Sequence, residues 1–243
     1  MLPPPTAPIP QQPAALVATL QRTDHDLAAA IGRWDKRTIP PREVTLLALY
    51  DQRTIRLLGT STRLARAVVQ RDPSLADDVR ARMDLRRLAP KKPAPAPRIG
   101  KPPSAQQLLT WYRAAQRRFG VRWQLLAAVN FVESAFCKVR NDSVSGAQGP
   151  MQFIPATWRA YGLGGNVHEP RDAIFGAANY LAANGGAHDE AQALYHYNPS
   201  GLYVDAVQRY ARRITRVRWA FYRYYAWQVF VRTPSGDRRI TGP

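Results

Sequence analysis

Residues 125–152 constrain this chain more than any other stretch. Leu126, Val129, Asn130 and Glu133 recur at helical spacing, which puts a carboxylate on the same face as apolar side chains. The polar, glycine-bearing run 141–149 should end that helix and form a loop. Glu133 is therefore expected in the last turn or two of a buried helix. Burial disfavours its anion, and so does the negative end of the helix dipole; both raise its pKa. A carboxyl kept protonated near neutral pH is what general-acid catalysis needs. A buried Glu that is merely hydrogen-bonded is the plain alternative, so the neighbouring residues decide.

Three blocks stand in order along the chain. They are Glu133-Ser134, the run Ser-Val-Ser-Gly-Ala-Gln-Gly-Pro-Met-Gln-Phe-Ile-Pro-Ala-Thr-Trp from Ser143 to Trp158, and Tyr195-His196-Tyr197-Asn198-Pro199-Ser200. Together they resemble the catalytic domain of the soluble lytic transglycosylases, a lysozyme-like family that also includes goose-type lysozymes. The resemblance covers residues 104–214 and is silent on the first hundred. It implies a peptidoglycan substrate and a single catalytic acid, Glu133, that later serves as base. Ser143 falls where the family has a Ser lining the cleft. Gln152 closes the block whose side chain and backbone hold the sugar's acetamido group. Tyr197-Asn198 matches the Ala-Tyr-Asn block, whose Tyr hydroxyl bonds the catalytic Glu. Pro150 and Pro199-Ser200 depart from the pattern, where Leu and Ala-Gly are usual.

A hydrolase cutting the same bond needs a second carboxylate. Asp142 is nearest in sequence, Asp172 reads as a helix cap, and Glu169, Asp189, Glu190 and Asp205 read as exposed. None stands out, which agrees with the implied transglycosylase. A muramidase of the same fold and a non-catalytic wall-binding module are the alternatives.

The formal net charge is +18, with +9 in residues 1–103 and +9 in 104–243. A uniformly basic chain is drawn to polyanions. Charge alone does not choose among nucleic acid, anionic lipid and acidic wall polymers. With the resemblance added, glycan strands and anionic wall polymers are the expected partners, and nucleic acid is not. Cys137 is the sole cysteine and reads as a small buried hydrophobe. His168, His188 and His196 lack metal-ligand spacing, so no metal or cofactor is expected. No stretch is long and apolar enough for a transmembrane helix, and Met1-Leu2 runs into prolines with no signal-peptide pattern. Action at the cell envelope or outside the cell is inferred from the implied function.

The expected fold is mainly α: a lysozyme-like helical domain preceded by a small helical domain and followed by a C-terminal β-hairpin. Residues 1–13 are Pro-rich and expected to be disordered. Residues 14–88 read as a small helical domain, with Arg80, Arg82, Arg86 and Arg87 forming a solvated basic face. Pro-dense residues 89–103 read as a semi-rigid linker. Residues 104–216 form the catalytic domain, opened by Ser104 as helix cap. Residues 217–243 are an aromatic-rich tail expected to form the hairpin, with a turn at 234–237.

Overall fold

The computed structural model describes residues 2–89, 97–233 and 236–243. Residues 90–96 of the expected linker and Pro234-Ser235 of the expected turn lie outside the described residues. The chain is mainly helical and ends in a two-stranded antiparallel hairpin. No helix among the described residues is long and apolar enough to cross a membrane.

Four helices precede the linker: α1 (Pro13–Arg33), α2 (Arg42–Leu58), α3 (Thr62–Arg71) and α4 (Ala76–Leu88). The apolar run from Val44 to Val69 looks continuous in sequence but divides at Gly59. The side chain of Ser61 accepts the amide of Leu64 and caps α3. Within the N-terminal run expected to be disordered, residues 7 and 8 are held by α2. Tyr50 donates to the Pro8 carbonyl and Arg53 to the Ala7 carbonyl, and Ala7 is buried.

Beyond the linker come α5 (Ala105–Phe119), α6 (Trp123–Ser134), α7 (Pro155–Tyr161), α8 (Pro170–Ala183), α9 (Glu190–Tyr197) and α10 (Gly201–Arg216). Ser104 caps α5 in a reciprocal box: its hydroxyl accepts the Gln107 amide, and Gln107 Oε1 accepts the Ser104 amide. The tail then forms α11 (Ala220–Ala226) before β1 (Phe230–Thr233) and β2 (Gly236–Arg239), paired in the register Phe230↔Arg239. Sequence periodicity does not reveal α11, because its aromatic residues crowd every face and hide the 3.6-residue period. Its rings are packed inward, Phe221 and Tyr224 among them.

The segments on either side of the linker share one core. Leu16 and Leu27 of α1 belong to the same buried cluster as Leu126 of α6 and Val207 of α10. Ion pairs run along the junction between α4 and α10, Arg209 to Asp84 and Arg212 to Asp77. The far end of the linker is held too: Ile99 pairs with Val139, and Gly100 donates to the Lys138 carbonyl at 2.9 Å. The basic face of α4 is not uniformly solvated, since Arg82 turns inward to Asp237 of β2 while Arg80 and Arg87 stay exposed.

The tie between tail and N-terminal helices is a buried ion cluster. Arg223 of α11, 1% exposed, donates to both oxygens of Asp51 (2.8 and 2.7 Å) on α2 and to Asp78 (2.8 Å) on α4. Trp227 adds its indole N–H to Asp51, and Tyr224 adds its hydroxyl to Asp78. Removing one side of a buried pair leaves bare charge in a poorly hydrated interior, at a cost of about 3–5 kcal/mol. Arg223→Met is expected to lose stability on that scale in urea unfolding.

Candidate active site

Glu133 stands in the last turn of α6, as the apolar spacing predicts. The helix stops earlier than the polar run 141–149 implies. Ala135, Phe136 and Cys137 all have positive φ, 51°, 60° and 66°, forming a short left-handed turn of non-glycine residues. Such residues cost about 1–2 kcal/mol apiece. Compensation is visible around them. The Cys137 amide donates to Ser134 Oγ (3.0 Å) and the Phe136 amide to the Asn130 carbonyl (3.3 Å). The Phe136 ring is fully buried and stacks on Phe131, with centroids 5.3 Å apart. The Lys138 ammonium then donates to the carbonyls of Tyr225 and Trp227, fixing the turn to the end of α11.

A polar network behind Glu133 locks α6 to the loop that follows. Ser134 Oγ donates to the Pro150 carbonyl (2.6 Å), and Asn130 Nδ2 donates to the same carbonyl (2.9 Å). Tyr112 of α5 donates to Asn130 Oδ1. Every member is buried and partnered, the condition under which an interior polar network is rigid rather than costly.

Glu133 as a whole residue is partly exposed, and its carboxyl is the part withdrawn from water. Loss of hydration pushes its pKa up from 4.5 to about 7, and one hydrogen bond opposes this: the Tyr203 hydroxyl donates to Glu133 Oε1 at 2.6 Å. Burial is the larger of the two effects. Asp142 is exposed.

The bond from Tyr203 corrects the role that the resemblance implies for Tyr197. The Tyr197 hydroxyl donates to the Met151 carbonyl at 2.6 Å instead. It still lies within the field of Glu133: burial first, and that charge second, hold its pKa well above 10.0. Sequence reasoning misses Tyr203 because its only signal is membership of the apolar face of α10 with Val207 and Tyr210. Nothing in that spacing says where a hydroxyl 70 residues away will point.

The other sequence candidates share one loop or its border. Ser143 Oγ accepts the Ala147 amide (3.0 Å) and contacts Ser145 Oγ (3.2 Å), bracing the loop against itself. Gln152, at φ 51°, donates Nε2 to the Gly149 carbonyl (2.9 Å) and the Asn141 carbonyl (3.3 Å). Gly149 is at φ 71°, and an added Cβ would lie 1.9 Å from the Val167 carbonyl oxygen, so no larger residue fits. Asn198 closes α9, its amide donating to the Leu194 carbonyl. Its half-buried side chain makes no hydrogen bond among the described residues. Glu133, Tyr203 and Tyr197 thus meet where α6, α9 and α10 approach the loop at Met151, while Gln152 and Ser143 bond within the loop.

Residues 110–215 match the family model of the transglycosylase SLT domain. This part of the chain is similar to SLT domains. The match starts within α5 and ends in α10, leaving α1–α4, α11 and the hairpin outside it. No curated protein and no solved structure matches the chain. An SLT domain indicates transglycosylase-type action on peptidoglycan in general.

Because the Tyr203 bond favours the anion of Glu133, its loss should raise the carboxyl's pKa further. Tyr203→Phe is expected to move the alkaline limb of the pH–rate profile upward by about one pH unit and to lower kcat. Tyr197→Phe should leave that limb in place, since its hydroxyl is bonded to Met151.

Proposed function

We propose that the chain is a peptidoglycan lytic transglycosylase that cuts the β-1,4 bond between N-acetylmuramic acid and N-acetylglucosamine, with Glu133 as its acid and then its base. The protonated carboxyl gives its proton to the bridging oxygen, the bond to the anomeric carbon breaks, and N-acetylglucosamine leaves as an alcohol. The substrate's own acetamido group stabilises the positive anomeric carbon. The Glu133 carboxylate then takes the proton of the 6-hydroxyl, whose oxygen closes on that carbon as a 1,6-anhydro ring. Glu133 regains its proton and no water is consumed.

What supports this reading is the geometry of Glu133, in the last turn of α6 within the segment that matches the SLT model, its carboxyl accepting the Tyr203 hydroxyl and pushed up by burial to about 7. Such a group is about half protonated at neutral pH, so it can both give and take a proton there. A hydrolytic route would need a carboxylate placed to activate water, and Asp142, the nearest in sequence, is exposed. On the same reading Ser143, Gln152 and Asn198 line the sugar-binding cleft, Tyr197 holds the Met151 end of the loop, and the site of action is the cell envelope or beyond. The basic surface then favours acidic wall polymers.

Digestion of purified peptidoglycan with mass analysis of the products tests this. The expected products are one water lighter than hydrolysis products, and Glu133→Gln should cut their yield by at least about a hundredfold. Reducing-end products would replace the transglycosylase with a hydrolase; intact glycan would leave a binding module. Rate should fall as pH rises through about 7, where Glu133 loses the proton it donates.

Stability follows from the same shift. A carboxyl whose folded pKa is raised contributes fully below the unfolded value and loses that contribution as pH rises through the folded one. Glu133→Gln should therefore raise Tm clearly at pH 9, by the equivalent of up to about 3 kcal/mol, and little at pH 4.

A further inference from the structure

An open groove of about 670 Å³ lies between α3 and α4, on residues outside the SLT match. Its wall on α3 includes Thr62, Ala65, Arg66 and Val69. Its wall on α4 is Ala76, Val79, Arg80 and Met83. Both sets fall at i, i+3, i+4 and i+7, so each helix turns one stripe into the same space. Ala65 and Val79 are buried, Val69, Ala76 and Met83 are partly covered, and Arg66 and Arg80 are exposed. The apolar surface is thus recessed beneath two guanidiniums. The volume falls within the range of about 300–1,000 Å³ in which ligand sites bury their occupant.

The groove has one sign of charge. Neither Arg66 nor Arg80 makes an ion pair or a side-chain hydrogen bond among the described residues. No acidic residue occurs in α3. The three acids of α4 are engaged elsewhere: Asp77 with Arg212, Asp78 with Arg223 and Asp84 with Arg209. The lining therefore holds two cations and no carboxylate.

An occupant must bring a convex apolar ridge flanked by anions. An amphipathic helix with acidic flanks has that form, since its anchors at i, i+3, i+4 and i+7 enter a groove as one row and a helix settles into the furrow between two others. A second copy of this chain has the wrong sign, at +18. A bilayer surface takes up apolar side chains that protrude, and these are recessed.

We propose that the α3–α4 groove docks an acidic amphipathic helix of a partner protein, its apolar stripe on Ala65 and Val79 and its carboxylates on Arg66 and Arg80. The proposal stands apart from the transglycosylase reading, because the groove shares no residue with the site at Glu133.

The test uses the full chain and labelled peptides of about 18 residues, long enough to form a helix, followed by fluorescence anisotropy at physiological salt. One peptide carries a Leu stripe flanked by Glu, one carries the same residues shuffled so that the stripe is lost, and one carries the Leu stripe flanked by Lys. The Glu-flanked helix should bind at least about tenfold more tightly than its shuffled form. Arg66→Glu combined with Arg80→Glu should weaken that helix at least about tenfold and strengthen the Lys-flanked one several-fold, a reversal that a misfolded variant does not produce. A photo-crosslinker on the Glu-flanked peptide should attach within residues 62–83. Equal binding of the helix and its shuffled form, or binding that charge reversal leaves unchanged, overturns the proposal. So does a parent protein that ignores the helix but binds phosphatidylglycerol vesicles through Arg66 and Arg80, which would make the groove a membrane contact.

Discussion

One carboxyl held out of water at the end of a helix is the constraint on which the site depends. Hydration would return Glu133 to an ordinary acid, ionised at neutral pH. The helix that carries it is accordingly packed tightly: Leu125, Leu126, Ala127, Ala128 and Val129 have no exposed surface. Desolvation alone would leave the carboxyl's direction open, and Tyr203 sets it. Tyr203 belongs to α10, and α10 is clamped to α4 by ion pairs. The environment of a single titrating group thus reaches into helices that lie outside the SLT match.

The helix end is fixed with equal care. A helix that simply frayed after Glu133 would let the carboxyl swing and admit water. Three left-handed residues stop it abruptly, and the Asn130–Ser134–Pro150 network ties the stop to the neighbouring loop. Backbone strain beside a functional group is a recurrent arrangement, sustained only where the surroundings over-determine the conformation. Here the surroundings include the stacked rings of Phe131 and Phe136 and the Lys138 contacts to α11.

Much of this is legible in the amino-acid order alone. The helical spacing around Glu133 fixes the buried face, Ser104 announces a helix, and the order of three polar blocks carries the family resemblance. What stays hidden has a common cause: side-chain direction over long sequence separations. Tyr203 reads as one more apolar-face residue. Arg82 reads as part of a solvated stripe until β2 brings Asp237 to it. The left-handed turn at residues 135–137 contains no glycine to signal it, and α11 is masked by its aromatic density. Periodicity reports which face of an element is covered, but not which distant group covers it.

The Arg223 cluster has a consequence for the order in which the chain becomes structured. Asp51 and Arg223 are 172 residues apart, and Asp78 and Arg223 are 145 apart. The two carboxyls on α2 and α4 therefore meet Arg223 only after more than a hundred further residues have been made. During synthesis the first four helices can collapse on their apolar faces but must leave those acids hydrated or protonated. Contacts this far apart in sequence are expected to close slowly, so the docking of α11 is the step that takes those acids out of water.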